Sequence, residues 1–431
     1  MNRTAEAVLL AGAAAIAGLG VTLVNLARGG GVDADVGLTI VVFVLAFGGL
    51  HTAMRAWAPR SSPYLLPIAS LLAVIGFVEV YRLDDRLADL QRWWILIGAF
   101  LAATLVFSLR NAGTEVLRRY RYLLLITSLA VLLLPLLPLN WSFPLRGRLV
   151  NGSRLWVALD LGFLEIQFQP GELAKILLVA FLASFLAERQ QALSLMTRKI
   201  GRFSVPEPRQ TVPILLAWIA SFAVLVYQRD LGASLLLFAS LVAMVYAATG
   251  RASYLAAGGG LFAIGGLVAA RLFSHVESRV QAWLTPFDYY DTTGYQIAQG
   301  LFAMGSGSLS GSGLGLGRPD VIPFASTDFV FAAVGEELGL AGSVIVISLF
   351  ALLVAVGFGI ALRSRDLFRK LLSAGLIFAV GLQALLIIGG VVRLFPLTGI
   401  TLPFMSYGGS SLLANFLIIA LLARVSHEER V

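Results

Sequence analysis

The chain has 431 residues, of which 58% are hydrophobic and only 13% charged, about half the charged share of a soluble domain. Apolar stretches of about 17–22 residues recur from end to end, each the length that crosses a bilayer; this excludes a soluble globular fold, and the short alternating strands of a membrane β-barrel are missing. The net charge of +8 sits in short loops between spans, the positive-inside pattern rather than a nucleic-acid surface, and the lack of cysteine excludes disulfides, thiol catalysis and Cys-ligated metals.

The pattern predicts an all-α, polytopic helical membrane protein with twelve spans, at roughly 6–27, 37–57, 63–83, 93–109, 121–139, 170–187, 212–227, 232–249, 252–273, 329–361, 369–391 and 407–424. The tenth is long enough to be a re-entrant piece followed by a span. The N-terminus reads as the first span rather than a removed signal. Residues 1–62 form a pair of extra N-terminal spans with little intramembrane polarity, 63–425 the main membrane domain, and 426–431 a cytoplasmic tail. An even count puts both termini on one side. The Lys- and Arg-rich segments RNAGTEVLRRYR, ERQQALSLMTRKIGRF and RSRDLFRK make that side the cytoplasm. Two long loops, 140–169 and 274–328, then face outward. The second holds eight glycines between Gly294 and Gly317, but its aromatic residues, among them Trp283, Tyr289 and Tyr295, argue against disorder.

The polar residues in this apolar frame are the candidates for chemistry. In FQPGELAK, Pro170 suits a first helical position, Glu172 the first turn, and Lys175 the same face three residues on. They read either as a self-neutralised pair or as a polar site near the outer surface. In QRDLGAS, Arg229 and Asp230 precede the eighth span, and capping is the simplest role for Asp230. Arg154, Arg271, Arg279, Arg318 and Arg393 fall on the outer side, where they suit either carboxylate partners or phosphate oxygens. GSGLGLG is no nucleotide loop, because it follows no strand and lacks the trailing Lys-Ser/Thr; its glycines permit close backbone approach to a substrate. In STDFVFAAVGEELG, Asp328 reads as an N-cap or as a general base at the membrane–water boundary, and Glu336 and Glu337 either as functional intramembrane acids or as one Glu bonded to a neighbouring span with the other capping or snorkelling. PLTGITLPFMSYGGSSL breaks the helix before the last span, which survives at membrane depth only within protein or along a cavity. Without a Ser-His-Asp set, Ser406, Ser410 and Ser411 read as backbone partners. The three histidines, His51, His275 and His427, are scattered and give no metal site.

Taken in order, FQPGELAK, QRDLGAS, GYQIAQGLF…GSGLGLG, STDFVFAAVGEELG and PLTGITLPFMSYGGSSL resemble the SEDS family, the FtsW/RodA/SpoVE membrane proteins of bacterial wall synthesis, over about residues 63–425. The extra spans with VNGSRLWV and QRDLGAS look most similar to the RodA type of actinobacterial character. The resemblance implies a peptidoglycan glycosyltransferase of the bacterial cell membrane. It would polymerise lipid II into β-1,4 glycan strands at the outer face, for elongation or division, with a class B penicillin-binding protein as cross-linking partner. It carries the catalytic role to Asp328. By the resemblance, Glu172 and Lys175 match the family's QPxExxK motif and Glu336 its EELG motif; the substrate-binding candidates are these three with Arg154, Arg279, Ser406, Gly408, Gly409 and Ser410. The diphosphate would be neutralised by outward arginines or by a divalent cation, Mg2+ or Mn2+; no organic cofactor is expected. The chain departs from the family at Gln299-Gly300, commonly Gln-Ser, and at Arg154-Leu155-Trp156, where many members have Arg directly before Trp. A lipid II flippase is the alternative, since broken helices and buried charge suit transporters too, but the charge here gathers on one side and no inverted repeat is visible. A non-catalytic scaffold would leave the carboxylate–arginine cluster unexplained.

Overall fold

The computed structural model describes residues 3–138, 144–150, 153–160, 162, 165–195, 197–200, 203–206, 219, 230–272 and 274–429. Among them, nine helices are long and apolar enough to cross a membrane: Arg3–Ala27, Ala34–Trp57, Leu65–Leu83, Asp85–Ser108, Pro170–Gln191, Gly232–Thr249, Gly339–Arg363, Leu367–Val391 and Gly409–Glu428. Two of the expected spans are shorter apolar helices, Arg121–Leu136 and Ala252–Leu267. The span expected at 212–227, with Arg229 behind it, lies outside the described residues.

Aspartates start four of these helices. Asp33 accepts hydrogen bonds from the backbone N–H of Asp35 and Val36, Asp84 from Leu87, Asp230 from Ala233 and Asp366 from Arg369. Each satisfies donors that a helix start leaves free. The helix Ala34–Trp57 carries a π-bulge at Val44–Gly48. The most enclosed helices are Leu65–Leu83, Pro170–Gln191, Leu367–Val391 and Gly409–Glu428. The last of these packs on Asp85–Ser108, and Pro170–Leu195 packs on Leu367–Val391.

The structure gives form to the two outer loops and divides the long tenth span, for which the sequence had offered a re-entrant piece followed by a span. The first outer loop is not irregular: β1 (Leu145–Val150), β2 (Ser153–Asp160) and β3 (Glu165–Phe168) form an antiparallel sheet in the order β1-β2-β3, with Arg148 opposite Trp156 and Val157 opposite Phe168. β3 ends two residues before Pro170, so the sheet delivers the next helix with Glu172 in its first turn. The second outer loop contains the helices Ser274–Leu284 and Tyr295–Gly307. The expected tenth span is two helices, Val330–Glu337 and Gly339–Arg363. Gly339 breaks it with φ +66°, and a Cβ there would stand 2.3 Å from the backbone N of Gly311, so only glycine fits.

Candidate active site

Asp328 sits directly before the helix Val330–Glu337. It does not cap that helix, whose N-cap position is Phe329 with no side-chain hydrogen bond. The capping reading of Asp328 is thereby overturned. Unlike Asp33, Asp84, Asp230 and Asp366, this carboxylate takes no helix-start N–H among the described residues. Dense surroundings push its pKa up to about 6; the Arg279 guanidinium and a hydrogen bond with the Thr327 side chain pull the other way.

Arg279, in the helix Ser274–Leu284, donates to the carbonyl oxygens of Thr398 (2.9 Å) and Leu397 (3.4 Å). It has no ion-pair partner among the described residues, yet its charge acts on both Asp328 and Asp230. Asp230 is buried and likewise pushed up to about 6, first by desolvation, against the Ala233 N–H bond; Glu172 raises it, and Arg279 and Lys175 lower it. Lys175 Nζ donates to Glu172 Oε2 at 2.9 Å and to Gln383 Oε1 at 2.7 Å. Gln383 Nε2 in turn donates to the Thr401 carbonyl at 2.8 Å. A cavity of about 20 Å³, room for about one water, is lined by Gln169, Glu172, Lys175, Asp230, Gln383 and Ile400 among others. The pair Glu172–Lys175, Asp230, Arg279 and Asp328 thus form one electrostatically linked group. The hydroxyls of Thr398 and Thr401 beside it are buried without a hydrogen-bond partner among the described residues.

The broken segment before the last span backs Asp328. Ser406 Oγ accepts from the Leu402 N–H and donates to the Thr327 carbonyl, and the Tyr407 N–H donates to the Ser326 carbonyl at 2.8 Å. Ser410 Oγ accepts from the Gln169 N–H at 2.8 Å, which ties the start of the last span to the start of the Glu172 helix. A Cβ on Gly409 would meet the Trp94 ring at 2.3 Å, and one on Gly408 the Thr401 side chain at 3.1 Å. Ser406, Gly408, Gly409 and Ser410 therefore shape the wall of the site. Phe324 and Phe404, flanking this contact, hold positive φ of 56° and 66°, a conformation unusual for bulky residues.

Glu336 faces elsewhere. Its Oε1 accepts from the Arg318 N–H at 2.7 Å, while Oε2 is buried without a hydrogen-bond partner among the described residues. Glu337 accepts from Arg82 Nε at 3.0 Å and from the Gly315 N–H at 2.7 Å. Both acids grip the glycine-rich loop, and neither lines the Glu172–Lys175 cavity. Arg154 lies half-buried in β2, without an ion pair to the cluster among the described residues. Arg393 is used in packing, donating to the carbonyls of Trp283 and Leu284. Gly300, the departure at Gln-Gly, lies against Phe329, whose ring a Cβ would meet at 2.6 Å. Gln383, Arg82 and Trp94 escaped the sequence reading; an amide inside an apolar span was the one signal for Gln383. Among the described residues no group of three His, Asp or Glu side chains is placed to hold a metal ion. Of the nearby acids, Asp230 accepts the Ala233 N–H and Glu172 accepts from Lys175 Nζ.

Residues 63–431 match the FtsW/RodA/SpoVE family, described as cell cycle protein. The chain is similar to the peptidoglycan glycosyltransferase RodA of Mycobacterium tuberculosis, 41% identical over 440 residues, covering 100% of this chain and 91% of that protein. It is also similar to the stage V sporulation protein E of Bacillus subtilis, 32% identical over 86% of this chain and 99% of that protein. One similar solved structure is described as the structural coordination of polymerization and crosslinking by a peptidoglycan synthase complex. It has a TM-score of 0.66 and 28% identity, covering 86% of this chain and 98% of that one. Another is the rod shape determining protein RodA of Thermus thermophilus, with a TM-score of 0.58 and 27% identity over 86% of this chain and 98% of that one.

Proposed function

The chain belongs to the FtsW/RodA/SpoVE family of cell cycle proteins, and we propose that it is a peptidoglycan glycosyltransferase polymerising glycan strands at the membrane for cell shape or division. The reaction we assign is transfer between two lipid II molecules. The 4-hydroxyl of the acceptor sugar attacks the anomeric carbon of the donor, whose bond to the diphosphate oxygen breaks. The hydroxyl proton passes to Asp328, and the polyprenyl diphosphate leaves. Attack opposite the leaving group inverts the anomeric carbon, from α-diphosphate to a β-1,4 link.

The observation that carries this reading is a carboxylate that caps no helix, with its pKa pushed up to about 6 and under the charge of Arg279, a guanidinium with no ion-pair partner among the described residues. An ordinary Asp, near 3.9, is a poor match for an alcohol proton; a raised value improves it, and proton transfer proceeds as the diphosphate bond breaks. Arg279 is the cation we assign to the diphosphate, since a guanidinium pairs strongly with phosphate oxygens. The free hydroxyls of Thr398 and Thr401 are suited to sugar or phosphate oxygens. A divalent cation, if the reaction uses one, would be held mainly by phosphate oxygens, as Mg2+ commonly is; no step depends on it here. We assign the reaction to the outer face of the bacterial cell membrane, with both termini cytoplasmic, and a class B penicillin-binding protein as the transpeptidase partner.

The test is polymerisation of lipid II by the purified chain, with and without its transpeptidase. Glycan strands from wild type and none from Asp328→Asn are expected. Transport of lipid II across vesicles without polymerisation would replace this reading with the flippase.

A further inference from the structure

The two N-terminal helices, Arg3–Ala27 and Ala34–Trp57, precede the residues that match the family. Their contacts with the rest of the chain are specific. At one end Arg3 donates to the carbonyls of Ala58, Pro59 and Ser61. At the other end the last turn of the first helix reaches the glycine-rich loop. A Cβ on Gly315 would stand 2.7 Å from Ala27 Cβ and 3.4 Å from Val24 Cα, so loop backbone lies flat on that turn. Asn25 Oδ1 accepts from the Tyr81 hydroxyl at 2.9 Å. Arg28 donates to Asp85 Oδ1 at 2.9 Å and to the carbonyls of Tyr81 and Arg82 at 3.0 and 3.2 Å.

Arg82 passes this grip on. Its guanidinium donates to Glu337 Oε1 and, at 2.9 Å, to the Gly317 carbonyl. Glu337 Oε2 holds the Gly315 N–H, and the backbone carbonyls of Glu336 and Glu337 take the N–H groups of Ser312 and Gly313. The chain of bonds therefore runs from Arg28 through the end of the helix Leu65–Leu83 to the glycine-rich loop and the end of Val330–Glu337. Asp328 lies just beyond the other end of that eight-residue helix, about 12 Å away along its axis. Gly311, Gly313 and Gly315 all have positive φ, and ordering such residues carries the largest backbone entropy loss. The loop needs anchors from outside itself.

We propose that the N-terminal helix pair is a brace for the reaction site. Ala27 and Arg28 are positioning residues that fix the glycine-rich loop and, through Arg82 and Glu337, the helix that presents Asp328. Its link to activity rests on the polymerase reading; the contact itself does not.

The experiment uses the full chain in detergent with four variants. Arg28→Ala removes the grip, Arg28→Lys restores part of it, and Ala27→Phe drives a ring into Gly315. Leu26→Phe, on a residue that is 55% exposed, is the control. Hydrogen exchange of residues 308–318 and steady-state polymerisation of lipid II are both measured. Arg28→Ala and Ala27→Phe should speed exchange in that segment and lower kcat by about 10- to 100-fold, the scale of an ångström-sized misplacement, with KM little changed. Arg28→Lys should fall between, and Leu26→Phe should match wild type. Unchanged exchange would overturn the brace, as would faster exchange with wild-type kcat. If wild type itself makes no glycan, the polymerase reading fails, while the exchange data still decide whether the brace exists.

Discussion

Burial holds the Asp328 carboxyl at about 6, and the sign of that shift sets two outcomes. As a base it works only when ionised, so polymerisation should rise with pH through about 6 and level above it. Replacement by Asn should remove the group and cost at least the 10²–10⁴-fold typical of general-base catalysis. The folded value lies above the unfolded 3.8, so between about 4 and 6 the native chain binds a proton that the unfolded chain has lost. Stability should fall as pH rises through that window, and thermal melts of Asp328→Asn should show a shallower fall than wild type. Loss of stability at neutral pH in this variant would mean that Asp328 anchors backbone after all. The pair Glu172–Lys175 yields a second test. Lys175 also donates to Gln383 Oε1, an acceptor that a carboxylate would repel. The double swap Glu172→Lys with Lys175→Glu should therefore lose activity and lower Tm, and removing either partner alone should destabilise by on the order of 3–5 kcal/mol. Activity retained by the swap would reduce the pair to mutual neutralisation. Asp328, Glu172 and Lys175 were legible in the sequence, because charge in an apolar frame stands out. Whether Asp328 caps was not, because that depends on backbone direction, and Gln383 finds Lys175 from 208 positions away.

At the scale of elements, the site wall depends on close approaches that only glycine allows. A Cβ on Gly76 would lie 2.2 Å from the backbone of Met405, within the segment that Ser406 and Tyr407 stitch to residues 326 and 327. Backbone cannot step aside as a side-chain tip can. Gly76→Ala should lower stability by about 1–3 kcal/mol and also lower polymerisation, since the displaced segment adjoins Asp328. Gly12→Ala, with nothing within 4 Å, should change neither; comparison of melts and initial rates decides. The long spans were readable from composition alone. The small sheet β1–β3 was not, because its side chains mix apolar and charged residues without clean alternation, and the pairs of Arg146 with Asp160 and of Arg148 with Glu165 join positions distant in the chain. The division of the tenth span at Gly339 was foreseen only as a possibility of length. Its cause is the wrapping of the glycine-rich loop, whose carbonyls at Ser308 and Leu309 take the N–H groups of Leu340 and Ala341.

For the whole molecule, the orientation in the membrane decides whether the proposed chemistry can meet an outward substrate. The charged group around Asp328 lies at one end of the bundle, linked through Arg279 and Asp230 to the Glu172 helix start. The other end carries a different network: Glu428 pairs with Arg369 and Arg424 and takes the Thr114 N–H. In the proposed orientation, which follows the positive-inside pattern, that second end faces the cytoplasm. The chain lacks cysteine, so single cysteines report cleanly. Ser153→Cys, in the sheet that leads to Glu172, and Ser310→Cys, exposed in the glycine-rich loop, should both react with an impermeant thiol reagent on intact cells with a permeable wall. A cysteine at Ser364, between the helices Gly339–Arg363 and Leu367–Val391, should react only after lysis and denaturation, because the side chain is buried and, in the proposed orientation, lies at the inner end. Protection of Ser153→Cys and Ser310→Cys until lysis would turn the molecule over. Asp328 would then face the cytoplasm, where glycan strands cannot join the wall, and the outward polymerase assignment would fail even with every distance in the site unchanged.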